Sequence, residues 1–236
     1  MFEFHRIAAG ATLLAAALAV QAAPVPGQGT WESSLQARDL DGNGQVDAYY
    51  DTALNITWLR DANVNGQRDW NAASGWADDL VFAGYSDWRL PTMLDTGAEG
   101  CDQSFSGSDC GYNVQTRSGA TVFSEMAHLF YETLGNAAAF DTAGNPQAGG
   151  LTNTGDFLNM QAAAYWIGLT YRNPETGEAW YFNADDGFQF HIGKENEFFA
   201  MAVRAGDVIQ AVPEPQSLAL VLLALAATAP LTRRRA

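Results

Sequence analysis

Between Trp70 and Gly84 the apolar side chains Trp70, Ala73, Ala77, Leu80 and Val81 recur at helical spacing, which predicts a helix ended by Gly84. A second apolar face runs from Ser124 to Leu134, where Met126, Leu129, Phe130 and Leu134 align. Ser124 can cap its start, and Gly135 follows its end. The rest of the pattern is strand-like. Leu54–Leu59 is β-branched and aromatic, and Ala164–Thr170, Ala179–Asn183, Phe188–Ile192 and Phe198–Arg204 have the same character. Gly, Asn and Asp clusters such as Asn173-Pro174-Glu175-Thr176-Gly177 separate these runs, and Asp185-Asp186-Gly187 reads as a hairpin turn. Residues 23–38 hold Pro24, Pro26, Gly27 and Gly29 without periodicity and read as a linker. A strand, two main helices and a strand-rich C-terminal half predict an α+β fold in a single domain over 39–211.

Both ends break the pattern. Residues 1–22 carry Arg6, an apolar stretch from Ile7 to Val20 and small side chains up to Ala22, which reads as a signal peptide removed by signal peptidase. Residues 212–236 open on Val212, Pro213, Glu214 and Pro215, continue through a 14-residue apolar run (Leu218–Leu231) and close on Arg233, Arg234 and Arg235. As a helix the run measures about 21 Å, short for a bilayer core of roughly 30 Å, and the arginines favour a cytoplasmic end.

Composition narrows the class. Seven Trp, eight Tyr and thirteen Phe supply a packed core, while 27 acidic against 12 basic side chains leave a net charge of −15. That balance excludes phosphate-backbone binding, so no nucleic-acid partner is expected. Trp58, Trp76, Trp88, Trp166 and Trp180 read as core; stacking on sugar rings would require them to be exposed.

The candidate chemistry is mostly oxygen ligands. Asp39, Asp41, Asn43, Gln45 and Asp47 follow the spacing of a calcium loop, with Gly44 at the turn position. Position 12 is Tyr50, and the nearest carboxylate, Asp51, comes one residue late. Three readings stand: a Ca²⁺ site of reduced affinity, one that borrows Asp51, or an Asx-rich turn. Asp61, Asn63, Asn65 and Asp69 repeat the pattern more weakly, since position 12 there is Ala72. Cys101 and Cys110, the only cysteines, read as a disulfide in an exported protein, against the alternative of a redox or copper-binding pair. Beyond the leader only His128 and His191 remain, the first beside a helix stripe and the second in a strand. Neither assembles a Ser-His-Asp array or a His-rich metal site, so no catalytic residue is assigned and enzyme is the minority reading.

Two resemblances sharpen the expectation. The Val-Pro-Glu-Pro box, short apolar run and terminal arginines of 212–236 resemble a PEP-CTERM sorting signal. That implies an exosortase partner, transient insertion in the inner membrane of a Gram-negative bacterium, and association with extracellular polysaccharide. The middle, from about Val46 to Val208, resembles the Lcl C-terminal domain family. The matching motifs, in order, are Ile56–Asn63, Gly84–Thr92 with Asp87, Trp88, Arg89, Leu90, Pro91 and Thr92, Ala164–Trp166 with Gly168, Ala179-Trp180, and Ala202–Val208. The Trp-Arg-Leu-Pro-Thr element is also similar to one in formylglycine-generating-enzyme-like domains, which implies a C-type-lectin-like fold. That oxidase branch uses paired cysteines near its end, and Tyr165–Val208 contains none, so its activity does not carry over. For the adhesin that gives the family its name, the resemblance implies binding to host polysaccharides or matrix proteins. In the motif, Pro91 holds Leu90 extended, Trp88 and Leu90 can anchor, Arg89 is free to pair with a buried carboxylate, and Thr92 can cap.

The expectation is an exported, non-catalytic adhesion module at the cell surface or in the extracellular matrix, binding polysaccharide or matrix. A polysaccharide-acting enzyme using Asp or Glu, and a purely structural matrix protein, are the alternatives.

Overall fold

The computed structural model describes residues 22–97, 101–172 and 177–208 of the 236-residue chain. The leader, apart from Ala22, and the sorting motif Val212–Pro215 with Arg233–Arg235 lie outside the described residues, as does most of the turn predicted at 173–177. Strands outnumber helices, and the described parts form a mixed α and β architecture. Among the described residues no helix is long and apolar enough to cross a membrane.

The first sheet combines three early strands with one late strand. Strands β1 (Leu35–Arg38), β2 (Ala48–Asp51) and β3 (Ile56–Leu59) run antiparallel in order, and β10 (Val203–Ala205) adds beside β3. The second sheet has the order β4-β9-β8-β7, from Gly111–Tyr112, Phe188–Gly193, Glu178–Asn183 and Ala164–Thr170. The hairpin predicted at Asp185–Gly187 joins β8 to β9, closed by Gly187 N donating to Asn183 O at 2.8 Å. A small ribbon pairs β5 (Arg117–Ser118) with β6 (Thr121–Val122).

The main core brings Trp58 of the first sheet together with Tyr165, Ile167, Trp180 and Phe182 of the second, and with Met126, Leu129, Phe130 and Leu134. These last four lie on the second predicted helix. Ser124 caps it as expected, accepting from Ala127 N, but only Glu125–Ala127 (α3) is α-helical; His128–Thr133 winds as a π-helix in which Leu134 N reaches back five residues to Leu129 O. Helix α2 (Trp70–Asp78) lays Ala73 and Ala77 against Leu90, Trp166 and Ala179 on the other face of the second sheet. Four of the five tryptophans named above are fully buried, and Trp76 is half-buried.

Three local expectations are corrected. Helix α2 stops at Asp78, not at Gly84, because Ala83 (φ 50°) and Gly84 (φ 86°) form a tight turn in which Phe82 and Tyr85 exchange both backbone bonds. Val81 is therefore 66% exposed. The run Phe198–Arg204 is strand only from Val203, since Phe198 pairs with Arg68 and Phe199 with Tyr165 in separate bridges. The stretch 23–38 is docked, not a free linker. It forms a helical turn α1 (Trp31–Ser34) and then β1, whose pairing needs only backbone groups and leaves no periodicity to read. Gly29 and Gly135 meet there backbone to backbone: a Cβ on Gly135 would lie 2.5 Å from Gly29 N.

Candidate functional site

The loop carrying the calcium-like spacing, residues 39–47, connects β1 to β2, so it is the tip of a β-hairpin and has no helix on either side. Asp39 organises it: one carboxylate oxygen accepts from Gly42 N and Asn43 N at 2.8 and 3.2 Å, the other from Gly44 N at 2.7 Å. Asp41 accepts from Asn43 N at 3.0 Å and from the Asn43 side-chain amide at 2.9 Å. Asp47 reaches back to Leu40 N at 2.8 Å. The result is that Asp39, Asp41 and Asp47 each offer an oxygen within 4.8 Å of the others. Oxygens sharing one Ca²⁺ bond it at about 2.3–2.6 Å and so lie at most about 5 Å apart, which this triad satisfies. Each carboxylate has about four lone-pair directions, so these backbone bonds leave capacity for an ion.

Of the other predicted ligands, Asn43 stands at the triad with its side-chain amide on Asp41, whereas Asp51 is carried away from it. Asn43 Oδ1 accepts from Gln45 N, and Gln45 is an exposed turn residue. Asp51 sits at the far end of β2, opposite Leu35, roughly 13 Å along the strand from Asp47. It is fully buried and accepts from Ala53 N, Leu54 N and Trp58 Nε1 at 2.9, 3.1 and 3.4 Å. Burial pushes its carboxyl above the usual range. In the second loop Asp61 accepts from Asn63 N and the Asn159 amide, and Asn63 accepts from Gly66 N. Asn65, with its amide turned to suit its neighbours, accepts from Trp76 Nε1 and Arg68 Nη2, while Asp69 caps α2.

The Asp87–Thr92 motif is a crossing point. Asp87 pairs with Arg204 of β10 at 2.7 Å, and Trp88 is buried with Nε1 on Tyr85 O. Arg89 exchanges backbone bonds with Val203 and its guanidinium grips Glu125 at 2.7 and 2.8 Å. Leu90 is buried, Pro91 O accepts from Gly168 N of β7, and Thr92 pairs with Glu125 instead of capping a helix. Cys101 and Cys110 are joined as a disulfide.

Both histidines are engaged in packing. His128 is buried in the π-helix, and desolvation holds its imidazole below its ordinary value. His191 stacks on Tyr171 with ring centroids 3.4 Å apart and meets Glu178 Oε2 at 3.0 Å; burial lowers it too.

One feature escaped sequence reasoning. Phe105, Tyr112, Phe140, Phe188 and Phe190, from four separate segments, form a connected set of ring contacts on the second sheet. Phe105 is 40% exposed and the others are half-buried. The alternation Phe188-Gln189-Phe190 was the available signal, since it aims both rings to one face of a strand.

In comparison with known proteins, no family model and no curated protein matches this chain.

Proposed function

We propose that this chain is an exported, non-catalytic binding module for extracellular polysaccharide, with Ca²⁺ held in the β1–β2 loop. The observation that carries it is the convergence of the Asp39, Asp41 and Asp47 carboxylates at the tip of a hairpin. In this reading the three carboxylates hold the ion, and its remaining coordination positions go to backbone carbonyls, water or a ligand hydroxyl. Calcium there draws three like charges together and fixes the loop against the sheet.

Export is the reading of residues 1–22, and exosortase-dependent sorting to the cell surface or matrix is that of 212–236. The Cys101–Cys110 disulfide supports an oxidising compartment. The resemblance to the Lcl C-terminal domain family and its C-type-lectin-like fold agrees with the mixed helix and strand architecture of the described residues. Catalysis is the weaker reading because His128 and His191 are both committed to packing.

The test is co-sedimentation of the purified protein with the producer's own polysaccharide, in calcium and in chelator. Calcium-dependent pull-down supports the proposal. Release of reducing ends points instead to an enzyme, and no pull-down in either condition to a structural role.

A further inference from the structure

The rings on the second sheet form a packed cluster in which Phe105 and Tyr112 lie nearly parallel, 13° apart, and the other pairs are tilted by 36° to 56°. Its centroid steps run 6.0 Å from Phe105 to Tyr112, 4.9 Å from Tyr112 to Phe188 and 5.8 Å from Phe188 to Phe190, with Phe140 5.0 Å from Tyr112. Tyr112 and Phe188 are direct cross-strand partners of β4 and β9, so backbone pairing sets their spacing. The outer rings are tied by one side chain: Asn113 Nδ2 donates to Phe105 O at 2.8 Å and to Phe140 O at 2.9 Å. Phe105 lies across Gly144, where a Cβ would stand 2.8 Å from its ring. The exposed Phe105 ring and its half-buried neighbours are therefore held before any ligand arrives, which lowers the ordering cost of binding.

The polar groups around the rings are acceptors. Burial and the nearby Asp186 carboxylate raise the Tyr112 hydroxyl's pKa, Asp186 takes Phe188 N at 3.0 Å, Asp185 follows on the same turn, and Asp141 flanks Phe140. Carboxylates beside aromatic faces match a ligand with apolar C–H faces and hydroxyl donors. The same carboxylates, on a chain of net charge −15, repel uronates, sulfates and anionic lipid headgroups.

We infer that the surface formed by Phe105, Tyr112, Phe140, Phe188 and Phe190 is a subsite that stacks against a neutral hexopyranose chain, its hydroxyls bonding to Asp185 and Asp186. The inference rests on the proposed function and names the place and ligand class that it leaves open.

Affinity electrophoresis of the full-length protein in gels containing hydroxyethylcellulose, laminarin or galactomannan tests it, with alginate as the anionic comparison. At least one neutral polymer retards the protein and alginate does not. Phe105→Ala and Phe188→Ala each weaken retardation roughly three- to tenfold, and Phe188→Tyr retains it. Phe105→Ala is the safer variant, because that ring is exposed, and melting curves confirm the fold of each. Retardation unaltered in both alanine variants overturns the subsite and leaves the proposed function standing. No retardation of the native protein by any neutral polymer overturns the subsite, while calcium-dependent co-sedimentation with the producer's own polysaccharide tests the proposed function separately.

Discussion

Arg89 holds Glu125 through two parallel N–H···O bonds of 2.7 and 2.8 Å, and Glu125 has only 6% of its side chain exposed. The same carboxylate takes Thr92 N at 2.7 Å, while the Arg89 backbone is paired to Val203. One ion pair thus joins the start of the second helix to the strand that closes the first sheet. Burial of the pair is uneven, since Arg89 is 35% exposed. Removing the arginine strands a buried charge, so Arg89→Ala is expected to cost about 3 kcal/mol, at the low end for buried pairs. Urea denaturation checks this, and Arg89→Lys recovers only part because it loses the two-point geometry.

Reduction of Cys101–Cys110 releases a loop with a sequence separation of nine residues. The chain-entropy argument assigns such a closure roughly 2.5 kcal/mol. Melting with and without reductant is expected to show that loss, with Cys101→Ser/Cys110→Ser melting at the temperature of the reduced protein.

The histidine at the centre of the Tyr171 stack gives a pH signature. Because burial lowers the His191 pKa from 6.5, the unfolded chain binds its proton first as pH falls. Stability is therefore full above 6.5, declines as pH falls from 6.5 to the folded value, and levels off below it. Asp51 and Asp186, raised from 3.8 by burial, act with the opposite sign above 3.8. They are shared with His191→Phe, so the difference between the two proteins isolates the histidine. Denaturation from about pH 8 to about pH 5 is expected to weaken the native protein more than the variant.

Gly135→Ala places a methyl 2.5 Å from Gly29 N at a backbone φ of 66°. The N-terminal segment must then lift from the end of the second helix. A loss of about 1–3 kcal/mol is expected, with faster amide exchange at Thr30, whose N–H bonds Thr133 O.

What the sequence made legible was whatever local pattern alone determines. The strand Ala164–Thr170, the Ser124 cap, the Asp185–Gly187 turn and the pairing of Arg89 with a buried carboxylate all follow from side chains close in sequence or from one missing charge partner. The choice of Glu125 was not legible, because 36 residues separate it from Arg89. Strand β1 was not legible, since an edge strand is held by backbone bonds and Leu35–Arg38 carries no hydrophobic alternation. In the calcium-like loop the spacing places Asp39, Asp41 and Asp47, three of the six expected ligands, within reach of one another. It misplaced Asp51, because adjacency along an extended strand means separation in space whereas in a helix it does not.

The most direct test of the account is calcium titration of the purified protein, read by calorimetry and by melting temperature. Three carboxylates without the bidentate twelfth ligand predict one ion per chain, with a dissociation constant on the order of 10⁻⁴ to 10⁻³ M. Saturating calcium is expected to raise stability by about 1–3 kcal/mol, and Asp39→Asn with Asp41→Asn to abolish both heat and shift. No binding heat, with a melting temperature that chelator leaves unmoved, would contradict it.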